Sequence, residues 1–441
     1  MKHLTFIPAL FLSLTLMAQP DTTKLSRLLD TLETYNRMMG AVAIRANGAI
    51  RYQKAIGFAD RARALPNTPE TRFRIGSITK TFTAVLVFQL IEAEKLSPED
   101  KLYRFFPELD PEKTITIDHL LRHRSGLANF TDEPEYLSYM SEPKSREEMI
   151  AIIKPLGKDF APGEQYAYSN TNYYLLGQII EIVSGKTYAE QLRTEITEPL
   201  ALKNTYVGKE IGNRGKEAFS YVKNAEQEWE KFADETDMSI PHGAGAMVST
   251  TDDLLRFITG LFDDKLLSVA SLQKMTDTEQ GYGAGLMKFP FYDTFAYGHN
   301  GGIDGFQSNL AYFPEKKVAS VVLANGLNYP MNDVLIGVLS CWFGKSYEIP
   351  DLSREPVTVA ADVLKSYAGI YRSEGFPLAI TLSVSEEGAL MAQATGQSAF
   401  PLTAYSETRF EFEPAGIVIE FEDEKTFLFQ QGGGQFTFKR E

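Results

Sequence analysis

Cysteine, histidine and tryptophan are scarce in this chain: one, five and two residues out of 441. A lone thiol, Cys341, rules out an intrachain disulfide, and there is no cysteine cluster to hold zinc or an iron–sulfur centre. Positive charge is also in deficit, with 44 Lys and Arg against 58 Asp and Glu and a formal net charge of −14. Such a surface repels phosphate backbones and anionic headgroups, which argues against nucleic acid as a partner. Past the N-terminus no uninterrupted apolar run reaches the roughly 18 residues of a spanning helix. What is present is ordinary globular composition, 44% hydrophobic, 23% charged and 12% aromatic, at a length that suits two domains. Disorder, collagen and coiled coil are excluded.

Lys2 and His3 precede an apolar run from Leu4 to Met17, followed by Ala18 and Gln19-Pro20, the layout of a cleavable secretory signal. Cleavage after Ala18 is expected, giving a periplasmic or secreted protein with no stable membrane anchor. No cysteine stands near the cleavage point to carry a lipid.

Leucines 25, 28, 29 and 32 recur at helical spacing between Thr22 and Tyr35. Two β-rich runs follow, 41–45 and 50–54, and the Asn47-Gly48 pair between them predicts a hairpin. From Ile75 to about Glu94 the pattern is helical and apolar on most sides, the mark of a buried helix. Residues from about 95 to 290 read as mostly helical with long loops. Strand character returns at 295–299, 307–312 and 318–323, and a helix from Met331 to Phe343 closes the unit. Strands at both ends with helices between them imply one sheet assembled from both termini. The expected division is a signal peptide at 1–18, a hydrolase domain at 19–345, a linker at 346–361 and a β-rich domain at 362–441.

Three segments could carry chemistry. In Gly76-Ser77-Ile78-Thr79-Lys80 the lysine amine can reach the serine hydroxyl one helical turn away, and the helix N-terminus favours developing negative charge. Burial lowers a lysine pKa, so a neutral amine becomes accessible as a base. Ser141–Lys144 and Ser271–Lys274 share the spacing but not the buried helix, and Ser77 read alone is also a plausible helix cap. Tyr168 and Asn170 follow a Pro162-Gly163 turn and precede an apolar helix; a phenol and an amide two residues apart can face one cleft, or simply cap that helix. In Tyr297-Gly298-His299-Asn300-Gly301-Gly302-Ile303-Asp304-Gly305 the glycines suit an edge strand along which a substrate lies, with His299 as a donor or an ordinary turn residue. His119 and His123 stand four apart, but nothing completes a metal set, so neither metal nor cofactor is expected. His242, Trp229 and Trp342 read as structural, and Cys341 as buried and inert.

In this order, Gly-Ser77-x-x-Lys80, Tyr168-Ser-Asn170 and His299-Asn-Gly301 resemble the motifs of the serine β-lactamase and penicillin-binding-protein superfamily. The likeness is to the group of class C β-lactamases, D-alanyl-D-alanine carboxypeptidases, D-aminopeptidases and related esterases. The phrases from Leu120 to Leu127, Phe160 to Gly163 and Gly243 to Leu254 are similar to that group as well. The resemblance runs from Leu25 to Phe343; residues after about 360 resemble the β-rich extension of many such hydrolases. It implies an α/β fold, a β-lactamase/transpeptidase-like antiparallel sheet flanked by helices with a helical insertion, and a small all-β, barrel-like C-terminal domain.

The resemblance further implies Ser77 as acylated nucleophile, with Lys80 and Tyr168 sharing proton transfer and the choice of base open. Asn170, His299, Asn300 and Gly301 would bind substrate, and the backbone N–H groups of Ser77 and Gly302 would form the oxyanion hole. Penicillinases of the superfamily usually carry lysine where this chain has His299, so weak retention of a substrate carboxylate is expected. The expected function is an exported serine hydrolase cleaving an ester or amide, a D-amino-acid peptide or small ester. The alternatives are a class C-like β-lactamase and, from another class, a non-catalytic penicillin- or peptidoglycan-binding sensor. The presence of Ser77, Lys80, Tyr168 and His299 together argues against the latter.

Overall fold

The computed structural model describes residues 20–212, 216–278, 281–354, 356–385, 388–412, 415–431 and 434–441; the expected signal at 1–18 lies outside them. The described residues divide into two compact units, one spanning Leu32–Met331 and the other residues 20–31 with Asn332–Glu441. This boundary falls at the start of the Met331–Phe343 helix, before the 346–361 segment read as a linker.

The larger unit is organised by an antiparallel sheet whose strands come from both ends. Strand Met38–Ala46 runs into Ala49–Ile56 through Asn47 and Gly48, at φ 50° and 77°, the left-handed pair that a tight hairpin turn requires. On its other side Met38–Ala46 pairs with Val318–Leu327, and the sheet continues through Phe306–Phe313, Thr294–Ile303 and Met287–Phe291. Met38–Ala46 and Val318–Leu327 are buried almost throughout rather than in alternation, as expected of central strands covered on both faces. One cover is the Thr251–Phe262 helix, which turns Leu254, Leu255, Phe257, Ile258 and Leu261 inward.

The Thr79–Glu92 helix is the centre of the helical part. Every residue from Thr79 to Phe88 is buried, which explains why its sequence shows no polar face. It packs on the Asn170–Ser184 helix, and Phe82 stacks on Phe257 with ring centres 3.5 Å apart. A small three-stranded sheet, Phe73–Arg74, Met247–Ser249 and Tyr206–Val207, holds the entrance to this helix. Strands of two residues carry no periodicity, and the sequence did not reveal them.

The smaller unit contains a nine-stranded antiparallel sheet among its described residues, from Gly369–Ser373 to Gly434–Arg440. Its two outer strands, Phe400–Pro401 and Thr403–Ala404, are separated by Leu402 alone, so the sheet curls almost into a barrel. Alternate residues of its strands fill the interior, with Tyr371, Phe410, Ile419, Phe427 and Phe438 buried and Tyr367 stacked on Phe421 at 3.6 Å.

Candidate active site

Ser77 lies in a single 3-10 turn, Gly76–Ile78, that leads into the Thr79–Glu92 helix. Strand Thr294–Ile303 is laid directly on this turn. A Cβ on Gly76 would stand 2.8 Å from Gly302 N, and one on Gly301 would stand 2.2 Å from Ile75 O and 2.9 Å from Ser77 N. Only glycine permits that approach, which brings the main-chain edges of Ser77 and Gly302 to one spot. Ser77 is half-buried and Gly302 exposed, so both face accessible space. The Ser308 hydroxyl donates to Ile75 O at 2.9 Å and ties the next strand to the same turn.

Lys80 is fully buried, and its Nζ lies 2.9 Å from Ser77 Oγ, 2.7 Å from Asn170 Oδ1 and 2.8 Å from Ala244 O. Burial holds its pKa well below the usual 10.5. The three partners differ in one respect. Ala244 O and Asn170 Oδ1 can only accept, whereas the Ser77 hydroxyl has a proton to give. A neutral amine in this cage donates its two N–H bonds to the amide oxygens and turns its lone pair to Ser77.

Tyr168 is partly buried, with Lys80 Nζ 4.8 Å from its ring centre. Burial drives its phenol pKa well above the ordinary range, against the opposing effect of a hydrogen bond with Ser77. The phenol therefore keeps its proton at neutral pH and acts as a donor. Asn170 opens the Asn170–Ser184 helix, and both ends of its amide are engaged. Oδ1 accepts from Lys80, Nδ2 donates to Thr131 Oγ1 at 2.9 Å, and its main-chain N–H donates to Asn129 Oδ1 at 2.8 Å. Its Oδ1 anchors Lys80, while Nδ2, with one N–H on Thr131, has a second to give.

His299 is completely buried. Its Nδ1 faces the main-chain oxygen of Asn300, and its Nε2 stands 2.8 Å from the Tyr282 hydroxyl. A carbonyl oxygen only accepts, so Nδ1 carries the proton and Nε2 accepts from Tyr282. Where sequence analysis anticipated a donor on the cleft wall, both ring nitrogens are turned to the protein. Burial, reinforced by the positive charge of Lys80, brings the His299 pKa down to about 3. Because this lies below the reference value near 6.5, the neutral ring stabilises the fold fully above about pH 6.5, and that contribution is lost as pH falls toward 3. His299 should show no titration between pH 5 and 8 in imidazole NMR shifts; a midpoint between 6 and 7 would refute this environment. Asn300 is exposed and Gly301 half-buried, beside the expected oxyanion donors.

Several neighbours escaped the sequence reading. Tyr282, whose hydroxyl meets Nε2 of His299, lies 17 residues upstream between Gly281 and Gly283, a weak signal at most. Ala244 contributes only a carbonyl and Thr131 only a hydroxyl, neither marked by spacing. Arg74, three residues before Ser77, makes a buried ion pair with Asp304 at 2.7 Å. His119 and His123 are engaged separately within the protein. The His119 ring closes a capping box with Thr116, His123 is buried among tyrosines, and no metal-binding group of three or more occurs among the described residues.

The family model described as Beta-lactamase matches residues 25–336. Penicillin-binding protein 4* of Bacillus subtilis (strain 168) is 27% identical over 456 residues, covering 95% of this chain and 98% of that protein. Teichoic acid D-alanine hydrolase of Staphylococcus aureus (strain NCTC 8325 / PS 47) is 31% identical over 294 residues, 65% of this chain and 69% of that protein. Among solved structures, D-amino acid amidase from Ochrobactrum anthropi SV3, complexed with L-phenylalanine amide, superposes with a TM-score of 0.64 at 28% identity, covering 72% of this chain and 97% of the other.

Proposed function

Since the chain belongs to the beta-lactamase family, we propose that it is a serine hydrolase that cleaves amide or ester bonds of D-amino-acid compounds through an acyl-enzyme on Ser77. The observation that carries this reading is the cage around Lys80, where one of three oxygens has a proton to give and that oxygen belongs to Ser77. Neutral Lys80 takes the Ser77 proton as Oγ attacks the substrate carbonyl carbon. The resulting oxyanion sits between the N–H groups of Ser77 and Gly302, each such donor contributing about 3 kcal/mol to the transition state. The phenol of Tyr168 passes its proton to the leaving amine or alkoxide, and the Lys80 ammonium, which took the Ser77 proton, gives that proton to the phenolate so that both groups return to their starting states. Water then enters, and the same groups run in reverse to free the acid and restore the serine.

The relatives' names point to the substrate class, a D-amino-acid amide for one and the D-alanine of teichoic acid for another. The neutral state of His299 supports the same choice. A substrate that depends on a terminal carboxylate, a penicillin or a carboxypeptidase peptide, meets no charged imidazole on this strand. An extracytoplasmic location after cleavage at Ala18 belongs to this reading.

Intact-mass spectrometry of the secreted protein tests it. After exposure to a serine-reactive fluorophosphonate, one adduct is expected on Ser77 in a chain beginning at Gln19, and none in Ser77→Ala. D-phenylalanine amide should release ammonia faster than its L enantiomer and faster than benzylpenicillin opens. A folded protein that takes no adduct overturns the hydrolase reading, and faster penicillin opening overturns the substrate class.

A further inference from the structure

His123 has no part in the steps above, yet it lies against the residue that donates the proton. We propose that His123 is a positioning residue that fixes the phenol of Tyr168 in the active site; this rests on the catalytic reading of Tyr168.

The contacts fall on three consecutive residues. The main-chain oxygen of His123 accepts the N–H of Ala167 at 3.0 Å, and its ring Nδ1 accepts the N–H of Ser169 at 3.1 Å. Between those two bonds the imidazole lies along the Tyr168 ring, with centres 4.4 Å apart and planes 34° apart. Residues 165–169 have no regular secondary structure, so no ladder or helix holds this stretch. Its N–H groups on either side of Tyr168 both end on one residue, and the phenol direction follows from that residue's place.

His123 is itself held by several restraints. Asn172 Nδ2 lies 3.2 Å from Nδ1, and the Asn172 Oδ1 accepts from the Ser125 hydroxyl. Since Nδ1 faces two donors it carries no proton, which places the ring hydrogen on Nε2. That atom is buried and has no hydrogen-bond partner among the described residues. The ring stands instead among the rings of Tyr173, centre 5.0 Å away, and Tyr282, 4.7 Å away. The backbone at His123 is left-handed, φ 54°, a conformation that side-chain-bearing residues seldom adopt. An unpaired buried N–H and a strained backbone at one position are costs that a mere filler of space would not carry, and such features gather where geometry serves chemistry. Through Tyr282, whose hydroxyl holds His299, the same ring braces the strand of the oxyanion hole. Burial and the nearby Lys80 and His299 keep the imidazole neutral, so its acceptor is available throughout the working pH range.

Two substitutions separate the acceptor from the ring. His123→Phe keeps a flat ring beside Tyr168 and removes Nδ1. His123→Asn keeps an acceptor at similar reach and tolerates left-handed backbone. With D-phenylalanine amide as substrate, His123→Phe is expected to lower kcat about 10- to 100-fold with KM nearly unchanged, and His123→Asn to stay within about 5-fold of wild type. In a Tyr168→Phe background, His123→Phe should add no further loss, because both act on one proton transfer. Wild-type kcat in folded His123→Phe, or a full additional loss in the double variant, overturns the proposal. If Tyr168→Phe alone is fully active, the reading of Tyr168 has failed and the clamp falls with it, a result distinguishable from failure of the clamp alone. Should His123→Phe not fold, His123→Asn decides: retained kcat supports the clamp, and a loss beyond about 10-fold despite the acceptor overturns it. If the wild type leaves D-phenylalanine amide intact, the same variants are compared on D-alanine amide and a D-alanyl dipeptide, whose amine leaving groups also need the phenol's proton, with the same expectations; if the wild type cleaves none of these, the reading of Tyr168 as donor has failed and the clamp falls with it.

Discussion

Lys80→Met should slow fluorophosphonate labelling of Ser77 by about 10³- to 10⁴-fold, the upper part of what a positioned general base contributes. Methionine fills most of the space the lysine stem occupies, so the loss reports the amine rather than a cavity. The argument rests on Nζ being the one base within reach of a hydroxyl 2.9 Å away, with the Tyr168 phenol kept protonated by burial. In the wild type the labelling rate should rise with pH through the depressed pKa of Lys80 and then level off, and this limb should vanish in Lys80→Met. Labelling within about tenfold of wild type would transfer the role of base to Tyr168. Stability should move the opposite way. The unfolded chain holds the lysine proton up to about pH 10.4 while the folded chain releases it earlier, so stability climbs with pH between those values. At pH 7 removing the amine relieves that penalty, and Lys80→Met should melt at a higher temperature than the wild type.

The second large effect falls on the turn beyond the oxyanion strand. Asp304→Ala is expected to destabilise the larger unit by about 3–5 kcal/mol, the usual cost of leaving one partner of a buried ion pair unpaired. Arg74 and Asp304 are 1% and 0% exposed at their side chains, so water cannot replace either. Asp304 Oδ2 takes Arg74 Nη1 at 2.7 Å, while Oδ1 accepts from the N–H of Thr236 at 3.0 Å and from its hydroxyl at 2.7 Å. Alanine abandons all three donors. Glu235 stands only 3.3 Å from Arg74, but burial raises its pKa and weakens it as a substitute anion. A fall in melting temperature of roughly 10 °C is expected by calorimetry, with Asp304→Asn intermediate because it keeps one acceptor oxygen and loses the charge. Labelling of Ser77 in the folded remainder should slow as well, since the turn that Asp304 fixes sets the position of Gly302. A shift of only a degree or two would show that the pair is replaceable.

Where sequence carried information locally, it was readable. Asn47-Gly48 marked its hairpin, and the unbroken apolar run after Lys80 marked the buried helix. The order of Ser77, Lys80, Tyr168 and His299 marked the site because each motif is short and contiguous. The direction of each side chain was not readable. His299 is bonded to the main chain of Asn300 and to a tyrosine from another loop, and Asn170 to Lys80 and Thr131, partners that no spacing announces. His123, read in the sequence only as half of an incomplete metal pair, touches Ala167, Tyr168 and Ser169. Its neighbours lie at 167–173 and at Tyr282, about 45 and 160 residues further along, and no window of sequence contains them. Two-residue strands such as Phe73–Arg74 are likewise invisible, although that one carries Arg74 into its ion pair.

The curled sheet of the smaller unit also bears on what this protein does when crowded. An open sheet offers a neighbour two rows of unpaired N–H and C=O groups, which serve as templates for fibril growth or strand exchange. Here the outermost strands are two residues each, consecutive along the chain but for Leu402, and one of them ends in Pro401, which has no N–H to give. Too little edge remains for an incoming strand to register on, so the protection of a unit dense in phenylalanine and β-branched residues against strand addition lies in its shape rather than in charge.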